Sequence, residues 1–152
     1  MVSRILVPHD GAEMADKALD KAIEFAKALK AEMVIVHIID DRFVPPSATL
    51  GFISDRTSLE DAKFQLIKIL KSGSEKMLKD ILARIEKAGI KAQFVLGVGS
   101  PSAEIVRIAG EMKADLIIIG SRQLKGADKI KFLGSVARKV SEMAHCPVMI
   151  IR

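Results

Sequence analysis

A glycine-bearing, basic stretch from Gly120 to Gly134 follows the apolar run Asp115-Leu-Ile-Ile-Ile119 and leads into a helix-like segment at Ser135-Val136. Backbone N–H groups in such a stretch can meet phosphate oxygens without side-chain obstruction. The dipole at the following helix N-terminus adds to that attraction. Ser121 and Ser135 offer hydroxyl donors, Arg122, Lys125, Lys129 and Lys131 make the segment locally basic, and Gly126 adds a further point of flexibility. The same composition also suits an ordinary surface loop with glycines at its turns and basic residues in water. These residues alone favour neither.

Pro8-His9-Asp10-Gly11 follows the first apolar run, Ile5-Leu-Val7. A carboxylate there can accept a hydrogen bond from a ribose hydroxyl or hold a metal, or it can cap the next helix, and these duties are compatible. His9 suits phosphate chemistry or plain polar surface. Gly97-Val-Gly99-Ser-Pro-Ser102 approaches a dinucleotide fingerprint but fails it. It follows the third strand rather than the first, Ser102 takes the place of the third glycine, and no acid stands at the ribose spacing. No Walker A sequence occurs, and the turn after the first strand lacks the paired carboxylates of a phospho-acceptor domain. His37 sits in an apolar run and reads as a satisfied core residue. His145 and Cys146 have no partners at zinc spacing. No nucleophile is nominated, so the residues leave enzymatic activity open and lean against it.

The elements that must position these residues follow from periodicity. Ile5-Leu-Val, Glu32 to Ile39, Gln93 to Leu96, Asp115 to Ile119 and Pro147 to Ile151 are short apolar runs, the mark of parallel strands covered on both faces. Between them, helical spacing runs through Ala15, Ala18, Leu19, Ala22, Ile23, Ala26 and Leu29, with Asp10 or Gly11 expected as the cap. A second helix spans Leu59 to Ala88, kinked or divided at Ser72-Gly73-Ser74 and stopped by Gly89. Shorter helices run from Ala103 to Lys113, capped by Ser100 or Ser102, and from Ser135 to about Ala144. Gly97 to Pro101 is expected as a turn. Residues 41–57, with Pro45-Pro46 and Gly51, read as a long surface loop. Strand–helix alternation of this kind predicts an open, doubly wound α/β sheet that binds ligands beyond its strands' carboxyl ends.

With 152 residues, the chain fits a single domain, 1–152, whose core needs no disulfide or metal. A lone Cys146, no signal-peptide pattern at the amino terminus and no bilayer-length apolar run make the cytoplasm the expected compartment. A net charge of +5 welcomes anionic ligands but is too mild to demand nucleic acid. No Trp or Tyr is present to stack bases, and no recognition helix is evident.

Taken in order, Ile5-Leu-Val-Pro-His-Asp-Gly11, Val36-His-Ile-Ile-Asp40, Gly99-Ser-Pro101, Asp115 to Arg122, Gly134-Ser-Val136 and Cys146 to Ile151 resemble the universal stress protein family nearly end to end. The resemblance implies a five-stranded parallel sheet of order 3-2-1-4-5 and a homodimer joined through strand 147–151. It also implies adenine-nucleotide binding, ATP or AMP, with Mg²⁺ accompanying ATP, in a stress-response or regulatory role. By the same likeness Asp10, with Pro8 and His9 beside it, meets the adenosine portion, and the Ile38 main chain lies by adenine. Gly120 and Ser121 fall by ribose and phosphates and Gly134, Ser135 and Val136 by the phosphates, and Gly99, Ile119, Arg122 and Gly126 complete the nucleotide-binding candidates. The nucleotide-binding members share a pattern G-x2-G-x9-G-[ST]. Here Gln123 replaces its second glycine, and the interval from Gly120 to Gly134 is one residue longer. Members that bind no nucleotide also exist, so a nucleotide-independent dimeric interaction module is the alternative. The loop 41–57, with Phe43, Val44, Leu50, Phe52 and Ile53, is a candidate surface for a protein partner, a flap over the site, or simple cover for the core.

Overall fold

Strands that are apolar at every position need cover on both faces, and here helices provide it. In the computed structural model, which describes residues 1–43, 56–122 and 133–152, the strands are β1 (Arg4–Pro8), β2 (Glu32–Ile39), β3 (Ala92–Val98), β4 (Leu116–Gly120) and β5 (Val148–Ile151). The helices are α1 (Glu13–Leu29), α2 (Arg56–Lys87), α3 (Pro101–Glu111) and α4 (Ser135–Met143). All neighbouring strands are parallel, in the order β3-β2-β1-β4-β5. The expected sheet and its order are both observed.

Alternation along β1 sorts the core into two layers. Ile5 and Val7 pack with Leu19, Ala22, Leu78 and Ile85 beneath α1 and α2. Leu6 points the other way, to Ile105, Ile108, Ala137 and Val140 of α3 and α4. Each such fully buried aliphatic side chain contributes roughly 1.5–3 kcal/mol relative to exposure. Because β2 and β3 lie on one side of β1 while β4 and β5 lie on the other, the order in which strands are added to the sheet reverses between β1 and β4. A crevice opens there at the strands' carboxyl ends.

Several local expectations change. The cap of α1 is Ala12, without a side-chain hydrogen bond, in place of Asp10 or Gly11. Gly11 instead takes a positive φ of 83°, turning the chain one residue before that cap. Helix α2 is continuous through Ser72-Gly73-Ser74, where the Ser74 hydroxyl donates to the Leu70 carbonyl at 2.9 Å. That bond satisfies the polar side chain within the helix and leaves the backbone ladder intact. Gly89 has the positive φ expected just beyond a helix C-terminus. Gly97 lies inside β3, paired with Ile38, and not in a turn. A Cβ at Gly97 would stand 2.7 Å from Ile38 Cδ1 and 3.2 Å from Ile108 Cδ1, so helix–sheet packing explains this glycine. Ser100 caps α3 without a side-chain bond, and Pro101 opens that helix. Residues 44–55, most of the predicted surface loop, fall outside the described residues. Among the described residues no helix is long and apolar enough to cross a membrane.

Candidate functional site

The crevice between β1 and β4 holds a cavity of about 380 Å³. Of the residues selected from sequence, Pro8, His9, Asp10, Ile38, Ile119, Gly120, Ser121, Arg122, Gly134, Ser135 and Val136 line it. They come from the ends of β1, β2 and β4 and the start of α4, elements far apart in the chain. Gly99 is not among the lining residues. It ends β3 with φ 143° and donates its N–H to the Ile39 carbonyl at 3.0 Å. Gly126, with Gln123, Lys125, Lys129 and Lys131, lies outside the described residues.

Asp10 stands at the cavity mouth. Its Oδ1 accepts the Ala12 N–H at 3.0 Å, and its Oδ2 accepts an Arg122 N–H at 2.9 Å. Burial by itself would push this carboxyl up, but the Ala12 N–H and the Arg122 guanidinium outweigh it and hold the group below the ordinary aspartate value. Asp10 is therefore ionised at neutral pH. The Asp10 and Arg122 side chains remain 50% and 73% exposed, so their pairing is worth on the order of 1 kcal/mol or less. It can rearrange at small cost.

His9 departs from the surface residue expected of a histidine in a turn: it is 4% exposed. Its Nδ1 accepts the Gly11 N–H at 3.1 Å, which a backbone donor allows only if that nitrogen carries no proton. The proton then sits on Nε2, directed at Asp16 Oδ1, 3.2 Å away. Both ring nitrogens of His9 are therefore engaged within the protein. Its carbonyl takes a hydrogen bond from His37 Nδ1 at 2.7 Å, so His37 is satisfied structurally, as its apolar setting suggested.

The two ends of the basic stretch meet beside the cavity. Ser121, 2% exposed, accepts the Gly134 N–H on its hydroxyl oxygen at 2.9 Å. Its own N–H donates to Ile151 at 2.8 Å. This latch sets Gly134 as the N-cap of α4, leaving the N–H groups of Ser135, Val136 and Ala137 without intrahelical acceptors at the cavity wall. A helix N-terminus so placed attracts anions. Opposite, Val36, Ile38, Pro101 and Ile105 supply an apolar wall suited to a flat ring system.

Several lining residues escaped the reading of the sequence. Val36 shares a face of β2 with Ile38, and period-two alternation alone would have found it. Pro101 and Ile105 are one helical turn apart on α3, and Ala137 follows Val136 in the first turn of α4. Ala12, Met14 and Ala15 enter because α1 begins beneath the crevice, which no local signal announces. Asp40 and Arg42 also line the cavity and form a two-pronged pair, Nε to Oδ1 at 2.8 Å and Nη2 to Oδ2 at 2.6 Å. Arg42 holds the Asp40 carboxyl below its ordinary range.

Comparison with known proteins agrees with this architecture. The chain matches the universal stress protein family over residues 1–152. Universal stress protein YxiE of Bacillus subtilis is 33% identical over 152 residues, covering 100% of both chains. Universal stress protein MJ0577 of Methanocaldococcus jannaschii is 34% identical over 157 residues, covering 100% of this chain and 96% of that one. The solved structure of MJ0577 superposes with a TM-score of 0.83 at 29% identity, covering 99% of this chain and 96% of the other. A universal stress protein from Archaeoglobus fulgidus in complex with dAMP shares the fold, with a TM-score of 0.62 at 23% identity and coverage of 100% and 98%.

Proposed function

The chain belongs to the universal stress protein family, and on that premise we propose that it binds an adenine nucleotide, ATP or AMP, in the crevice between β1 and β4. The observation that carries the reading is the cavity itself. It gathers an ionised acid, Asp10, an apolar wall at Ile38 and Ile105, and the N-terminus of α4 around about 380 Å³. Volumes of 300–1,000 Å³ are usual for small-ligand pockets. The wall suits adenine, Asp10 suits a ribose hydroxyl, and the free amides of α4 suit phosphate. The A. fulgidus protein crystallised with dAMP supports the reading at the level of the fold.

In this reading the protein acts as a stress-response or regulatory homodimer in the cytoplasm. Among the described residues no three metal-ligating side chains come together, so Mg²⁺ would enter on the phosphates of ATP. With both nitrogens of His9 engaged, Asp10 is left as the group able to orient water in any slow hydrolysis. Calorimetric titration with ATP, ADP, AMP and cyclic AMP tests the proposal, and no heat of binding at millimolar nucleotide defeats it.

A second reading draws on α2. Phe64 and Ile69 are 66% and 67% exposed there, which favours an interaction module that works through protein contacts. It predicts that a bulky replacement of Gly134, blocking the cavity, leaves the cellular phenotype of the wild-type gene intact.

A further inference from the structure

We propose that Arg122 is the counterion that lets an acidic ribose-binding group and a phosphate share one cavity, so that the site selects nucleoside phosphates over nucleosides through the single phosphate next to the ribose. The inference rests on the nucleotide reading above and deepens it.

The difficulty it resolves is electrostatic. Asp10 is a carboxylate on the cavity wall, and a phosphate brought in on the same ligand adds at least one more negative charge nearby. Water at the cavity mouth, where Asp10 is half-exposed, screens part of this repulsion, and the apolar walls of Ile38, Ile105 and Ile119 leave the rest. A positive group must stand between them. Arg42 lines the cavity, but one edge of its guanidinium, Nε and Nη2, is already held by Asp40. Arg122 is different. Only its Nη2 is engaged, with Asp10 at 2.9 Å, and among the described residues its other nitrogens have no acceptor. A guanidinium carries five N–H donors in a flat fork, so the remaining ones stay available to a phosphate while the bond to Asp10 persists. Each Asp10 oxygen likewise keeps a lone pair for a ribose hydroxyl.

Position favours the same role. A Cβ built on Gly134 would lie 3.4 Å from the Arg122 nitrogen and 3.6 Å from its carbonyl oxygen, so Arg122 leaves the backbone beside the first turn of α4. The guanidinium and the free amides of Ser135, Val136 and Ala137 therefore flank one volume. Together with the Ser121 hydroxyl, they suffice for one phosphate group.

The test is calorimetric titration of adenosine, AMP and ATP into the full chain, in EDTA so that no divalent cation can substitute for the arginine. Wild-type protein is expected to prefer AMP to adenosine by roughly tenfold or more, a margin typical of charge-assisted hydrogen bonds, with ATP within about threefold of AMP. Arg122→Gln is expected to weaken AMP by roughly 10- to 100-fold and leave adenosine within about threefold, which also shows that the variant is folded. Adding Asp10→Asn to Arg122→Gln removes the repelling carboxylate and restores part of the AMP affinity, a non-additivity that simple loss of contacts would not produce. Unchanged AMP affinity in Arg122→Gln overturns the inference alone. So does ATP binding more than tenfold tighter than AMP, or AMP binding that requires Mg²⁺. Wild-type protein that binds none of the three ligands, in EDTA or with Mg²⁺ restored, overturns the nucleotide reading and this inference with it.

Discussion

At Gly120 an added Cβ would stand 2.3 Å from the Met14 carbonyl oxygen and 2.6 Å from its carbonyl carbon, inside the first turn of α1. Backbone cannot yield as a flexible side chain does, so this glycine is required by the packing of β4 against α1 whether or not a ligand is present. Gly120→Ala is expected to cost about 1–3 kcal/mol and lower the melting temperature by roughly 3–10 °C in calorimetry, with or without nucleotide. Gly134 has φ −57° and ψ 147°, open to any residue, and its added Cβ would meet its nearest neighbour at 3.4 Å. Gly134→Ala is expected to change the melting temperature little, because the less flexible unfolded chain is offset by alanine's poorer fitness as the N-cap of α4. If phosphate approaches α4 as proposed, the same variant loses nucleotide affinity by roughly tenfold, because its methyl group stands where the ligand must pass. Both glycines flank one loop and look alike in the sequence; only their neighbours in space separate them. Asp10 was legible as a carboxylate at a strand's end. The burial of His9 was not, because it depends on Asp16 and on β2.

Helix α2 spans 32 residues, about 48 Å at the α-helical rise, yet only its later part enters the core, through Leu78, Ile81 and Ile85. Its periodicity was legible from end to end because helical spacing is local. Its continuity across Ser72-Gly73-Ser74 was misjudged because that depends on where the Ser74 hydroxyl turns. At the end of the sheet opposite the crevice, one carboxylate joins two central strands. Asp115 Oδ2 accepts the Ser3 N–H at 2.9 Å, the Ser3 hydroxyl at 2.8 Å and the Arg4 N–H at 3.0 Å, tying the start of β1 to that of β4. The backbone and hydroxyl bonds from Ser3 hold its carboxyl below the ordinary aspartate value. A folded-state value lowered in this way gives stability that is present above the unfolded value, about 3.9, and is lost as pH falls through the folded one. Asp115→Asn is therefore expected to melt below wild type at pH 7. The gap narrows as pH falls below about 4, where the wild-type carboxyl takes up its proton. A gap of constant size from pH 7 to pH 3 would show that the carboxylate's charge contributes nothing.

For the molecule as a whole, β5 is an edge strand with β4 on one side and, among the described residues, no strand on the other. The carbonyls of Pro147 and Ile151 accept bonds from Ile117 and Ser121, so residues 147, 149 and 151 address β4 while 148 and 150 turn their backbone groups outward. An open apolar edge invites pairing, and the proposed homodimer places a second copy there. Light scattering is expected to give about twice the 16.5 kDa chain mass. Ile150→Pro removes an outward N–H, spares the ladder to β4, and is expected to yield a folded monomer. A monomeric wild type would refute the dimer.

The sequence by itself determined the five strands, the four helices and the end of the sheet at which a ligand would sit. Burial on two faces repeats along a strand, amphipathic spacing repeats along a helix, and both can be read from neighbours in the chain. Tertiary structure alone decided that Asp10 meets Arg122, 112 residues away, that Ser121 latches Gly134, and that Gly97 and Gly120 serve packing. Those contacts exist because β4 lies beside β1 while α1 begins beneath both. Contacts between separate elements, whether 13 or 112 residues apart in the chain, leave no periodic trace in either one.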